Sequence, residues 1–151
     1  VIPEAEAAAQ RWRDVTSELT SLVARMPAER WDAPSACGSW TNIDLLAHLA
    51  TGYVVRIEWL AAAIAARDPI QHPNIDAVNE RNVAAWRLAP VEAVVAELVA
   101  TRARVLELLE QLETHHLRIV VDRKGRRDRL ADLLITFSAH NLDHAEQLAR
   151  A

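Results

Sequence analysis

The chain has 151 residues, which fits one domain with enough length to bury a full core without disulfides. A hydrophobic fraction of 51%, a charged fraction of 25% and a formal net charge of -4 exclude a broadly basic nucleic-acid surface. One cysteine, Cys37, excludes an intramolecular disulfide and any multi-cysteine metal site, and 3 glycines with 6 prolines leave little turn material for an all-β fold.

In chain order, the first predicted helix runs from Pro3 to Arg25. Proline suits the first turn, and Trp12, Val15, Leu19, Leu22 and Val23 fall on one stripe of period 3.6. Met26-Pro27 ends it, because a residue before proline avoids helical geometry. Pro27 to Trp40 is a connection holding two tryptophans, Trp31 and Trp40, and is expected to fold back onto the helices as a lid or plug. Thr41 with Asp44 three residues later reads as a capping box opening a second helix, from Asn42 to about Arg67.

Asp68 to Pro73 breaks the pattern with two prolines. A third helical region starts near Asn74, pauses at Ala89-Pro90 and resumes to about Thr114; Pro90 either starts a separate helix or kinks a continuous one. Leu117 to Val121 is rich in β-branched residues and precedes a Lys124-Gly125 turn, which predicts a short strand or hairpin. The last helix runs from about Asp128 to Arg150. Amphipathic helices around one core make a four-helix bundle the simplest architecture, as a single domain over residues 1–151. The apolar run from Trp59 to Ala66 is far too short to span a bilayer, and no signal peptide is visible. A cytoplasmic protein without a membrane or nucleic-acid partner is expected.

The last helix carries the sharpest signal. Leu130, Leu133, Leu134, Phe137, His140, His144 and Leu148 lie three and four apart, so two histidines are expected to interrupt the buried face. Imidazoles at i and i+4 stand about 5–6 Å apart at Cβ and can converge on one ion, which also satisfies nitrogens that burial would leave bare. His48, at the border of the second helix's apolar stripe, is the candidate third ligand, with Asp44 one turn earlier either orienting its ring or acting as the cap. Three histidines leave open coordination positions, the pattern of a catalytic site, and imidazole suits Zn, Ni, Cu or Fe. The competing reading is a set of core histidines satisfied by hydrogen bonds.

Other features read more simply as structure. Glu113-x-x-His116 matches half of a di-iron element, but no second copy exists. Arg123, Lys124, Arg126, Arg127 and Arg129 form either an anion site near a metal entrance or a solvated turn, and the turn is the simpler reading. Cys37 has no evident base beside it.

The stretch Pro34-Ser35-Ala36-Cys37-Gly38-Ser39-Trp40-Thr41-Asn42-Ile43-Asp44-Leu45-Leu46-Ala47-His48-Leu49, with the late His140-x-x-x-His144, resembles the DinB-like superfamily, in particular the branch containing the N-terminal domain of mycothiol-dependent maleylpyruvate isomerase. The resemblance implies an all-α, up-down-down-up four-helix bundle. It implies a divalent metal (Zn, Ni, Fe or Mn) on His48, His140 and His144, and a homodimer. It also implies a small-molecule substrate and a low-molecular-weight thiol such as mycothiol, bacillithiol or glutathione. In the isomerase branch one late ligand is a carboxylate, whereas both late positions here are histidine. Two functions follow as expectations: a metal-dependent enzyme activating a thiol or water for transfer, isomerisation or hydrolysis, or a non-catalytic, ligand-binding, stress-protective dimer.

Overall fold

A computed structural model describes residues 1–123 and 125–151, without the side chain of Arg123. Lys124 and the Arg123 side chain of the basic cluster therefore lie outside the described residues. The described residues form α1 (Pro3–Arg25), α2 (Asn42–Thr51), α3 (Tyr53–Ile64), α4 (Ile75–Trp86), α5 (Val91–Leu109), β1 (Val120–Arg123), β2 (Arg126–Arg129) and α6 (Leu130–Ala149).

The bundle has four rods: α1, α2 continued by α3, α5, and α6. α1 packs on α5 and α6, α2 also packs on α5 and α6, and α3 packs on α5, which closes the four into a ring. Side-chain partners fix the directions. Leu22 of α1 and Met26, which caps its end, lie beside Leu148 of α6, so these two rods run parallel. Thr101 of α5 donates from Oγ1 to the Ala50 carbonyl at 3.2 Å, and Leu60 shares a wall with Leu109, so α2–α3 and α5 are also parallel. Ile2 at the start of α1 lies near Ile64 at the end of α3, which sets the two pairs antiparallel. The result is the up-down-down-up four-helix bundle expected from the resemblance. Residues such as Leu19, Leu45, Leu46, Leu98 and Leu148 are fully enclosed, and each leucine so buried contributes about 1.5–3 kcal/mol.

The predicted second helix is divided at Gly52 and ends at Ile64 rather than Arg67. Gly52 keeps helical angles (φ -60, ψ -20), so α2 and α3 remain one rod. Pro90 caps a separate helix, α5, and Asn74 caps α4 by accepting from the Ala77 amide at 3.1 Å. α4 packs on α2, and Val83 is its one buried residue. The hairpin pairs Val121 with Asp128, so the last helix opens at Leu130 and not at Asp128.

The start of α2 is closely specified. Thr41 Oγ1 accepts from the Asp44 amide at 3.3 Å, and Asp44 Oδ2 accepts from the Thr41 amide at 3.2 Å. The preceding connection folds back as anticipated: Trp31 is buried, Ile43 N–H donates to the Trp31 carbonyl, and Asn42 Nδ2 donates to the Arg30 carbonyl at 2.8 Å. Gly38 takes the turn at φ +59, a region that favours glycine. Removing the cap with Thr41→Ala is expected to lower stability by about 1 kcal/mol, measured as a shift of the urea midpoint at constant slope.

Candidate metal centre

His48 sits two turns into α2, while His140 and His144 sit one turn apart on α6. The packing of α2 against α6 brings the three rings together. His48 and His140 rings are 5.7 Å apart between centroids, His48 and His144 5.1 Å, and His140 and His144 4.3 Å, all near perpendicular. One ring nitrogen from each lies within 4.8 Å of the others. His48 Nε2 and His140 Nε2 are 3.4 Å apart. Ligand nitrogens about 2.0–2.1 Å from a tetrahedral zinc ion lie roughly 3.4 Å from one another. Two of the three rings thus stand at a spacing compatible with a shared ion.

The exposure of the rings differs from the sequence expectation. His48 and His144 are buried, but His140 is exposed. The buried stripe of α6 continues from Phe137 through Ser138 and Asn141 to His144 and Ala145. His140 lies on the edge of that stripe, facing a cavity rather than the core.

Burial and the neighbours set the protonation of His48. Its pKa falls to about 3, first through desolvation and then through the nearby His144, His140 and Arg56. At neutral pH the ring is uncharged and offers a lone pair. His48 Nδ1 is buried and makes no hydrogen bond among the described residues. Asp44 does not orient it: that carboxylate closes the capping box and lies 3.5 Å from the Arg87 guanidinium. The expected choice for Asp44 resolves as the cap.

His144 is oriented by a residue that sequence reasoning missed. Its Nδ1 lies 2.8 Å from Gln147 Oε1. The amide oxygen accepts, so Nδ1 carries the proton and Nε2 is left with the free lone pair. Gln147→Leu is expected to weaken metal binding about 10–100-fold with the fold intact, as titration with a chromogenic chelator would show.

Beside the histidines is a cavity of about 330 Å³, lined by His48, His140, Gly52, Arg56, Trp59 and Phe137 among others. Gly52 matters for its lack of a side chain, since a Cβ there would stand 3.0 Å from the His48 carbonyl oxygen and 3.9 Å from His48 Cε1. Trp59 stacks on Phe137 with centroids 5.3 Å apart. Trp40 covers His48 at 4.8 Å, held by its Nε1–H donating to Glu80 of α4 at 2.8 Å.

Arg56 also went unnoticed in the sequence. It is only 8% exposed, donates to Asn141 Oδ1 at 2.7 Å and lies 4.6 Å over the Phe137 ring.

The remaining candidates resolve as structure. Cys37 is partly buried, and burial pushes its thiol pKa up, which keeps it protonated. His116 is buried and accepts at Nδ1 from the Glu113 amide at 2.9 Å, closing a cap on a short 3-10 turn (Thr114–Arg118). Among the described residues, His48, His140 and His144 form the one group of three or more histidine, cysteine or acidic residues placed to hold a metal ion. No helix among them is long and apolar enough to cross a membrane.

The fold is shared with solved structures. The mycothiol-dependent maleylpyruvate isomerase superposes with a TM-score of 0.82 at 18% identity, covering 97% of this chain and 61% of that one. A histidine-to-alanine mutant of that isomerase gives 0.82 at 17% identity, again over 97% and 61%. The chain thus spans about three fifths of the isomerase's length. YfiT from Bacillus subtilis, described as a probable metal-dependent hydrolase with an unusual four-helix bundle topology, gives 0.77 at 19% identity over 99% of this chain and 89% of its own. No curated protein matches the sequence. The family model of the DinB superfamily matches residues 11–148, nearly the whole bundle including all three histidines, and the chain therefore belongs to the DinB superfamily.

Proposed function

We propose that this chain is a metal-dependent enzyme, a single DinB-like domain over residues 1–151, that binds one divalent ion through His48, His140 and His144 and acts on a small molecule. The observation that carries the proposal is the convergence of three imidazole nitrogens within 4.8 Å beside an open cavity. The donor set fits such an ion: His48 is neutral, and two Nε2 atoms 3.4 Å apart are reconciled by an ion between them or by a single proton. A divalent ion held there supplies Lewis acidity, which lowers the pKa of a thiol or water bound to it.

The protein's own residues supply the rest. Gln147 fixes the His144 tautomer, and Trp40 shields His48. His140 stands at the cavity edge, so ligand enters from its side. The chemistry we favour is transfer or isomerisation with a low-molecular-weight thiol such as mycothiol, bacillithiol or glutathione. Hydrolysis by an activated water is the second reading, favoured by the similarity to a probable metal-dependent hydrolase over 89% of that chain. The cytoplasm and a homodimer complete the proposal.

The test is elemental analysis of protein purified without a nickel column, followed by assays of the loaded protein. About one ion per chain, as a three-histidine site binds, with metal-dependent conjugation of an electrophile to one of the three thiols supports the proposal. Metal-dependent ester or amide hydrolysis without thiol turnover favours the second reading. No metal after reconstitution with Zn, Ni, Mn and Fe overturns both.

A further inference from the structure

We infer that the cavity beside the histidines reads a carboxylate through Arg56, so that the ligand is a small molecule carrying an anionic group in addition to the atom that meets the metal. This rests on the metal site proposed above. His48, Gly52 and Arg56 follow one another at four-residue steps along the α2–α3 rod and all line the cavity. Residues at that spacing share one helix face. Glycine at the middle position leaves open the space between the histidine and the arginine.

Arg56 is placed as a reader rather than as a surface charge. Its guanidinium stays ionised at any ordinary pH, and burying a charge is costly unless the surroundings hold it. Here the Phe137 face at 4.6 Å, the Trp12 and Tyr53 rings at 5.5 Å and the Asn141 amide oxygen at 2.7 Å fix its position. A guanidinium fixed in this way presents a planar fork suited to two parallel hydrogen bonds with a carboxylate.

The charge of the lining points the same way. Arg56 and Arg126 face Asp76 among its residues, and imidazole ligands bring no negative charge to a divalent ion. Arg126, 74% exposed and 3.4 Å from Asp128, sits at the mouth, where it attracts anions without fixing them. A volume near 330 Å³ is at the small end for ligand sites, which restricts the occupant to a compact molecule.

Two thiols of equal size test this: β-mercaptopropionate, and its uncharged amide. Each is titrated into the cobalt-loaded protein, and the thiolate-to-cobalt absorption band reports binding. The carboxylate is expected to bind about tenfold to a hundredfold more tightly than the amide, the range for hydrogen bonds to charged groups. Arg56→Met is expected to abolish the preference while leaving cobalt content unchanged. Arg56→Lys, which keeps the charge and loses the fork, retains part of it.

Equal affinity of the two thiols for the cobalt-loaded parent overturns the inference and makes Arg56 an internal ion partner only; that comparison needs no variant to fold. A parent that takes up no cobalt overturns the metal reading instead. Propionate is then titrated into the metal-free chain, and an unmoved Arg56 Nε–H resonance overturns the arginine's role as well.

Discussion

His48→Ala and His144→Ala are each expected to yield protein with no retained metal after desalting, at unchanged helical content. Loss of an outer hydrogen-bond partner already costs about 10–100-fold in metal affinity, and removing an imidazole from a three-ligand set exceeds that. The fold survives because its stability does not come from the ion. The bundle encloses a continuous core from Ala5 to Leu148, more than enough for a chain of this length. His140→Ala separates the two roles most cleanly. That ring is exposed, so its removal leaves no core void, and the metal-free variant should match the parent's urea midpoint. Plasma emission spectrometry and circular dichroism of the same samples give both readouts. Full metal retention in all three variants would place the ion elsewhere.

The helices were legible because their signals are local. Thr41 and Asp44 predict the start of α2, and Pro27 and Pro90 mark real boundaries. The centre was legible in part. His140 and His144 announce themselves by spacing, but spacing alone did not decide which positions are buried. From Phe137, steps of three and four lead equally to His140 and Asn141, and packing against α2–α3 selects Asn141, where it meets Arg56. An arginine within a helix reads as a solvated position, so nothing local marks Arg56 as the partner of a residue 85 positions away. Gln147 could have been found: it lies three residues after His144, where a helical neighbour can reach the ring. The contact of Trp40 with His48 depends on Glu80 of α4, which no pattern near either residue discloses.

The metal-free protein should become less stable as the solution is acidified below about pH 6.5, by roughly 1.4 kcal/mol per pH unit from His48 alone. In the folded chain burial, reinforced by His144, His140 and Arg56, holds the His48 pKa near 3, whereas the unfolded chain titrates near 6.5. Between these values the unfolded state takes up a proton that the folded state refuses, so acid favours unfolding. Above pH 6.5 both states are neutral at this group and its contribution is complete. The same proton competes with the ion for the His48 lone pair, so metal is expected to dissociate over the acidic side of neutrality. The measurement is a series of urea midpoints from pH 7.5 to 4.5 on metal-free parent and His48→Gln. The parent should lose stability more steeply than the variant, because glutamine has no proton to take up. Parallel slopes would mean that His48 is not held neutral, and hence that the pocket does not present it to an ion as a ready ligand.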